Sequence, residues 1–582
     1  MKRIATFALV AIACIGLGWA AFQAAAPTEP LLPLSGYFPA DGLLYIEAKD
    51  FSSLLATWNK SPERLHWIAS SNYEVFSRSR LFLRLKGAGD QFAVAAGLPP
   101  DMNFLTSVAG SQSALAIYDI GKLQFLYITR LPSARSLQTA VWQKRSTFES
   151  RSAGGAEFYI RRDPASGKEV AFAVRGDYML LATREDLLAG ALQLMAGSKD
   201  RTIAEEPWWS QSVAAAKTPG DLRLVLNLEK IVPGPYFRSY WIQQNITDMK
   251  QYNAAISDLV LSGGSDSAQN NNNNNEDREE RVLLRRTAPA DSATVPDGAH
   301  AVAELMRLVP ESAGVYKVQA DPTDNVCLDL LTSKILAPHL GPAPAEQVAP
   351  HLELTSGETG SAADLETRID QAPAEHEVGA DAFAGIKSLL HGNRVRASLQ
   401  VRSTGPDNDG VFIRMHSAIV LVGTTDWDQP KILDALVDAI RPGLTASRLG
   451  VGWQQKSGYQ ELDGLQSLIT AVRGNYLLVS DDPALMTTML ANFSRKPLAE
   501  PAVFLAGFDH ARERGNFTHF TTAVDRPNMS PVGAARSGRE PQFFAENMVS
   551  LSSALGRMDS EDVVVRDRGD KVLQTVRYKW SH

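Results

Sequence analysis

Apolar and polar residues alternate along several short stretches of the chain, which is the pattern of half-buried β-strands. Two such stretches are EFYIRR (157–162) and EVAFAVRG (169–176), and a further strand pattern, YMLLA, occupies 178–182. Gly176 and Asp177 separate the last two. Glycine followed by Asp or Asn between strands is typical of a two-residue type II′ turn, because glycine adopts positive φ without steric cost. The pattern predicts a β-hairpin.

The apolar period changes after this hairpin. Leucines and alanines recur at helical spacing from Leu187 to Met195, which predicts a helix with one apolar face. Thr183 is expected to cap its start, with Glu185 and Asp186 in the first turn. Strands and helices do not alternate regularly, and no glycine-rich phosphate loop occurs. We therefore predict an α+β fold of mainly antiparallel sheets with helices on one face.

The same pattern occurs twice in the chain. AVRGDYMLLATREDLLAGAL (173–192) and AVRGNYLLVSDDPALMTTML (471–490) are identical at eight of twenty positions. Flanking stretches follow in the same order, and SALAIYD (113–119) is aligned with SAIVLVG (417–423). We therefore predict a tandem duplication of one unit of about 250 residues.

The predicted units cover 39–287 and 308–582, and the Ala/Pro-rich residues 288–307 are the predicted linker. Residues 263–278 contain six consecutive asparagines and are expected to form a mobile surface loop, because they have no apolar surface to bury. The Pro/Gly-rich insertion 338–363 is either a binding loop or disordered.

The N-terminal residues indicate where in the cell the protein is located. Residues 1–26 combine a basic start with an uncharged apolar run over 4–22, which predicts an export signal or an N-terminal membrane anchor. We expect a periplasmic or extracellular protein, attached to the membrane if this segment is not cleaved. The two cysteines are Cys14 and Cys327, so the exported part can form no internal disulfide.

The charge of the chain excludes one class of partner. The net charge is −7 and no Lys/Arg cluster occurs. Affinity for nucleic acid comes mainly from neutralised phosphates, so DNA and RNA are not expected as partners.

Three stretches resemble a widespread bacterial family of exported proteins that is known only as a domain of unknown function. They are YFPADGLLYIEAKD (37–50), residues 173–192, and IAEEPWWSQSVAAAKTPGDLRLVLNLEKI (203–231). The resemblance implies an envelope location and an α+β fold. It implies no catalytic residues.

No familiar catalytic motif is present, so we predict no catalytic, cofactor-binding or metal-binding residues and no cofactor. His339, His351, Glu353 and His376 could be drawn together as a metal site, but no pair has the spacing of ligands on one helix or turn. Two acidic pairs, Glu205–Glu206 and Asp481–Asp482, are expected to serve local structure.

The aromatic stretch 235–244 and the pair Trp208–Trp209 are interpreted as core packing rather than contact surfaces. The tripeptide Arg175–Gly176–Asp177 matches an integrin-binding sequence of animal matrix proteins. Because the second unit has Asn475 in place of the aspartate, we interpret it as a turn.

Three functions remain open. The first is a non-enzymatic envelope protein that acts as a binding or scaffold module with a protein partner. The second is a carrier of an apolar ligand, which predicts an apolar pocket of roughly 300–1,000 Å³. The third is a hydrolase whose site assembles from residues distant in sequence.

Overall fold

The structure is a computed structural model, and it describes residues 33–216, 219–235, 249–262, 275–287, 297–337, 382–404, 415–447, 452–462, 467–498, 500–515 and 556–581. Within these ranges the chain is an α+β protein built on one large antiparallel sheet. The α+β class and the antiparallel pairing are confirmed.

The strands are numbered along the chain: β1 Leu44–Ala48, β2 Ser113–Asp119, β3 Gln124–Arg130, β4 Glu149–Ala153, β5 Ala156–Arg162, β6 Glu169–Arg175, β7 Tyr178–Ala182, β8 Leu222–Asn227, β9 Tyr252–Val260, β10 Glu276–Arg285, β11 Val315–Ala320, β12 Val395–Thr404, β13 Met415–Gly423, β14 Trp453–Gln455, β15 Gln460–Leu462, β16 Leu468–Arg473, β17 Tyr476–Ser480, β18 Phe504–Asp509, β19 Met558–Asp567 and β20 Lys571–Trp580.

The α-helices are α1 Phe51–Lys60, α2 Pro62–Ile68, α3 Ser71–Ser77, α4 Arg80–Ala96, α5 Met102–Val108, α6 Ser133–Ser136, α7 Ala140–Gln143, α8 Glu185–Met195, α9 Pro207–Ala215, α10 Leu228–Ile231, α11 Asp297–Met306, α12 Asp324–Leu331, α13 Ala384–Gly392, α14 Gln429–Ser447 and α15 Pro483–Ala491. Short 3₁₀ helices occupy Leu34–Tyr37, Arg145–Thr147, Ile203–Glu205 and Asn492–Ser494, and Thr332–Leu336 is a π-helical turn.

The twenty strands follow one another in the sheet in the order β4-β5-β6-β7-β3-β2-β1-β8-β9-β10-β20-β19-β18-β11-β12-β13-β17-β16-β15-β14, and every neighbouring pair is antiparallel. Strands β1–β10 and β11–β20 therefore have the same order within their halves. The two halves meet where β10 pairs with β20.

Helices cover both faces of the sheet, so the prediction of helices on one face is wrong. In the first half, α8 and α9 pack on one face and α4 and α5 on the other. The reason is visible in β3, where Leu126 and Ile128 enter one core while Phe125 and Tyr127 face the other. A strand that is apolar at consecutive positions must be covered on both sides.

The second half follows the same plan. Helices α11 and α15 pack on one face, and α12, α13 and α14 on the other. Helix α11 lies inside the predicted linker 288–307, and Val302 and Leu305 on it are fully buried. Residues 297–306 of the predicted linker therefore form a helix that packs in the core of the second half.

The predicted hairpin is confirmed. Strands β6 and β7 pair around a turn in which Gly176 has φ +55°, and Gly474 has φ +58° in the equivalent turn between β16 and β17. Asp482 caps α15, accepting hydrogen bonds from the backbone N–H groups of Ala484 and Leu485. Thr183 does not cap α8. Its hydroxyl instead accepts a hydrogen bond from the backbone N–H of Phe125 at 2.9 Å.

The sheet order also corrects one alignment between the halves. SALAIYD (113–119) forms β2, but SAIVLVG (417–423) lies in β13, which occupies the position of β3. Both stretches are short and apolar, so sequence similarity alone could not show that they occupy different positions in the sheet. Of the Asn-rich loop, residues 276–278 begin β10, whereas 263–274 and the insertion 338–363 lie outside the described residues.

Candidate functional site

The Arg-Gly-Asp tripeptide has a structural role. The Arg175 guanidinium donates to the backbone carbonyl of Leu192 at 2.8 Å, near the end of α8. Arg473 in the second half makes the equivalent bond to Leu490 in α15. The Leu192 carbonyl also accepts the backbone N–H of Ala196 at 3.1 Å, and a cation near the C-terminal end of a helix interacts favourably with the helix dipole. In each half this arginine therefore connects the hairpin to the helix that follows it.

The acidic pairs serve local structure, as expected. Glu205 completes a capping box with Thr202, and the buried Glu206 carboxylate accepts a hydrogen bond from the Trp208 indole at 2.6 Å. In the other pair Asp481 accepts the backbone N–H of Ser417 at 2.8 Å, and Asp482 is the helix cap. Their hydrogen bonds assign these carboxylates to turns and caps.

The aromatic and metal predictions have different outcomes. Trp208 and Trp209 are buried in the first core, which confirms core packing for that pair. His339, His351, Glu353 and His376 lie outside the described residues, as does nearly all of the aromatic stretch 235–244. Elsewhere in the described chain, no group of three His, Cys, Asp or Glu side chains is placed to hold a metal ion.

Cys327 is a buried thiol on α12. Burial, with a smaller contribution from Asp324, raises its pKa to about 12. A thiol that stays protonated at neutral pH is a poor nucleophile. Cys327 therefore contributes to packing in the second half.

A large cavity lies in the first half between the sheet and the helices above it. Its volume is about 800 Å³. Helix α4 contributes Leu85, Ala88, Gly89, Phe92 and Ala95 to the wall, and α5 and the turn before it contribute further apolar side chains. A volume of this size is typical of a small-molecule site.

The floor of the cavity is the outer face of the central strands. Ile46 on β1 pairs with Leu115 on β2 and with Leu224 on β8, and Ile46 and Leu115 both line the cavity. Phe125 and Leu181 extend the apolar surface across β3 and β7. The floor is therefore a continuous hydrophobic sheet surface.

The polar groups at the base of the cavity already have partners. The Tyr127 hydroxyl lies 2.9 Å from the Val108 carbonyl and 3.2 Å from the Ser113 hydroxyl. Ser113 is in turn 2.6 Å from the Thr129 hydroxyl. Burial raises the pKa of Tyr127, and its hydrogen bonds to Ser113 and Thr129 offset this only in part. These groups are neutral and satisfied, so the interior favours an apolar occupant.

Charged residues gather at one end of the cavity, where Lys122 and Asp186 are exposed to solvent. The Lys168 ammonium donates to the Lys122 carbonyl at 3.2 Å. Arg184 bridges Asp186 at 2.8 Å and the Gln124 side chain at 3.2 Å. The cavity thus has an apolar body and a polar mouth.

The second half has polar residues at the same positions of the sheet. Lys317 on β11 pairs with Gln400 and Ala506, as Ile46 pairs with Leu115 and Leu224. The neighbouring Gln319 replaces Ala48 in the same way. Where apolar residues do face helices, between β17 and α13–α14, the cavity measures only about 20 Å³.

Comparing the sequences of the two halves did not reveal this cavity, because its wall on α4 and α5 lies outside the motif that both halves share. One signal was available. In the first half, β1, β2 and β3 carry apolar residues such as Ile46, Leu115 and Phe125 on the face below α4 and α5, whereas β11 and β12 carry Lys317 and Gln400 at the corresponding positions.

No family model, curated protein or solved structure matches this chain. The resemblance to an exported bacterial family therefore stays a prediction. Among the described residues no helix is long and apolar enough to cross a membrane, and the apolar run 4–22 lies outside them.

Proposed function

We propose that this chain is a non-enzymatic binding protein of the cell envelope that holds an apolar ligand in the cavity of its first half. The observation that carries the proposal is the cavity of about 800 Å³ with its apolar lining. The cavity is partly open to solvent, since its lining includes the exposed residues Leu85, Gln91 and Lys122. A space of this size, opening at a polar mouth, is suited to an occupant.

The two halves differ at this face of the sheet. The second half has the same strand order, yet its helices pack against β17 with a cavity of only about 20 Å³. The first half places apolar residues such as Ile46 and Leu115 where the second half has Lys317 and Gln400. This difference supports specialisation of the first half for a ligand, with the second half extending the sheet.

The lining favours a ligand with a long apolar body and a polar end. The body would lie along Ile46, Leu115, Phe125 and Phe92, and the polar end would reach the charged mouth beside Lys122. Acyl chains have this form. Removing such a chain from water stabilises it by about 0.8 kcal/mol per buried methylene.

We propose an envelope location from the sequence. The basic start and the apolar run 4–22 favour export, with residues 1–26 acting as a signal peptide or as an anchor. A carrier of an apolar ligand in this location would exchange that ligand with a membrane or with a protein partner.

We also propose that the two halves arose by tandem duplication of one unit of about 250 residues. The repeated strand order supports this origin, and so do the matching turns at Gly176 and Gly474. In each half an arginine before that glycine bonds the end of the next helix, through Arg175 and Arg473.

The proposal is tested by filling the cavity. Ala88 on α4 lines it, and the Ala88→Phe variant places a ring in the space of the ligand. Because the ring occupies volume that the ligand would fill, we expect a fluorescent fatty acid such as cis-parinaric acid to bind roughly tenfold more weakly or worse, a loss of about 1.4 kcal/mol in binding free energy.

The matched control is Gly87→Phe, which introduces the same ring one residue earlier. Gly87 is not part of the cavity lining, and a Cβ added there meets no atom within 4 Å. We expect wild-type affinity for this variant. Equal affinity of all three proteins, or no binding by the wild type, would contradict the proposal.

A further inference from the structure

The helices above the cavity expose an unusual number of large apolar side chains. Ten such side chains are exposed among the described residues, and six of them fall between residues 58 and 94. Five of the six, which we call the outer apolar residues, are Trp58, Leu65, Ile68, Leu83 and Val94, whereas the sixth, Leu85, lines the cavity. Leu65 and Val94 are each 58% exposed. A concentration of this kind marks an interaction surface.

These helices hold together largely through their own aromatic residues. Trp67 lies 6.3 Å from Tyr73, and Phe76 lies 5.5 Å from Phe82, measured between ring centroids. Helix α2 contains no fully buried residue. The aromatic contacts fix α2, α3 and α4 to one another, while Leu65 and Ile68 of α2 point outward.

The same segment is basic although the protein is acidic. Residues 51–96 contain six Lys or Arg and three Asp or Glu, whereas the whole chain has a net charge of −7. Lys60 and Lys86 are exposed on α1 and α4, next to the outer apolar residues in sequence. Exposed apolar side chains combined with Lys and Arg are typical of helices that lie in a membrane interface.

We propose that the outer surface of α1–α4 docks onto an anionic membrane, with the outer apolar residues entering the interface and the basic residues contacting lipid headgroups. The charge favours this partner. Residues 51–96 carry more Lys and Arg than Asp and Glu although the chain is acidic, and anionic headgroups attract each nearby Lys or Arg. Leu85 lies on the cavity side of α4 and is 51% exposed, so the cavity wall reaches solvent at this helix. The docked helices would therefore place the cavity wall against the bilayer.

This inference rests on the outer surface of the helices, whereas the proposed ligand binding rests on their inner surface. The two can fail separately. Absence of fatty-acid binding by the wild type would overturn only the proposed ligand, and absence of membrane docking by a wild type that binds fatty acid would overturn only this inference.

The test places a fluorescent reporter on the full chain. Leu65→Cys and Leu83→Cys are labelled with the environment-sensitive dye NBD on a Cys14→Ser background, with the buried Cys327 left in place. Leu137→Cys and Leu498→Cys are the matched controls, since both are exposed leucines outside α1–α4. Vesicles of phosphatidylcholine with and without phosphatidylglycerol are compared.

We expect labels at 65 and 83 to shift to the blue with the anionic vesicles, and labels at 137 and 498 to stay unchanged. Replacing Lys60 and Lys86 by Gln should lower the ratio of inserted to free label roughly fivefold for each charge removed. Thermal unfolding of the labelled proteins checks that each variant is folded.

Three results would overturn the inference. Labels at 65 and 83 could remain unshifted with anionic vesicles. Labels at all four positions could shift equally, which would show that residues 4–22 simply bring the whole chain to the membrane. Labels at 65 and 83 could already be blue-shifted without vesicles, which would show that protein covers this surface.

Discussion

Gly176 and Gly474 lie at the same point of two hairpins and share a positive φ. An L-residue with a side chain is strained there, because its Cβ approaches the following carbonyl oxygen. The next residue is less restricted. Asp177 accepts the backbone N–H of Ser133 through its side chain at 3.2 Å, and an asparagine can do the same through its amide oxygen.

The first prediction follows from this turn. We expect Gly176→Val to lower the free energy of unfolding by about 1–3 kcal/mol, and Asp177→Asn to leave it unchanged. Urea unfolding of the two variants measures the difference. Equal stability of both would refute the assignment of the turn.

Arg223 and Asp258 form a buried ion pair between β8 and β9, with two nitrogen–oxygen distances of 2.7 and 2.9 Å. The second half has Leu505 and Val564 at the corresponding pair of β18 and β19. One sheet position is thus occupied by a salt bridge in one half and by an apolar pair in the other. Such exchanges are often nearly neutral, while the loss of a single partner is not.

The second prediction is a double-mutant cycle at this position. Arg223→Leu and Asp258→Val are each expected to cost about 3–5 kcal/mol, because each leaves a buried charge without its partner. The double variant should recover most of that loss. It should stay about 1–3 kcal/mol below the wild type, since the Gly220 N–H loses its acceptor on Asp258. Additive losses in urea unfolding would contradict this account.

At the scale of elements, local signals predicted local structure. Alternation and turn residues identified the β6–β7 hairpin, and the apolar period identified α8. Helices on the second face were missed because a strand such as β3, apolar on both sides, looks the same as any short apolar run. The β10–β20 pairing joins residues almost 300 positions apart, and no local pattern encodes such a contact.

This seam between β10 and β20 is held by charged groups as well as by the backbone. The Arg285 guanidinium makes two bonds to the Asp567 carboxylate, at 2.6 and 2.7 Å, and a third to the Gly569 carbonyl at 2.9 Å. Thr575 donates to Glu280 at 2.9 Å across the same pair of strands. The halves are therefore joined by specific contacts beyond the ladder.

The third prediction concerns pH. Burial opposes ionisation of Asp567, but hydrogen bonds from Arg285 and from the Gly569 N–H outweigh it and hold the pKa of this carboxyl below its usual value. A depressed folded pKa contributes stability above the unfolded value, about 3.9, and this contribution is lost as pH falls through the folded pKa.

We therefore expect the wild type to lose stability below about pH 4 in part through this seam. Asp567→Asn should be less stable than the wild type at neutral pH and should show a shallower decline in acid. Urea unfolding at several pH values measures both. An unchanged slope in the variant would contradict a role for Asp567.

The two halves have the same strand order, but the helices packed on the sheet differ between them. The two similar hairpins at Gly176 and Gly474 were predictable from the matched motifs, since turn and helix residues are constrained locally. The cavity was not predictable in the same way, because it depends on how α4 and α5 sit over the sheet. The apolar residues on this face of the sheet indicate that helices pack on it. They do not indicate that the helices leave about 800 Å³ open.

The central claim is that this cavity holds an apolar ligand. Its most direct test is organic extraction of the purified full-length protein, followed by mass spectrometry of the extract against equal amounts of Ala88→Phe and Gly87→Phe. We predict an acyl-chain compound near one equivalent in the wild type and in Gly87→Phe, and its depletion in Ala88→Phe. Equal amounts in all three proteins, or none above background in the wild type, would contradict the claim.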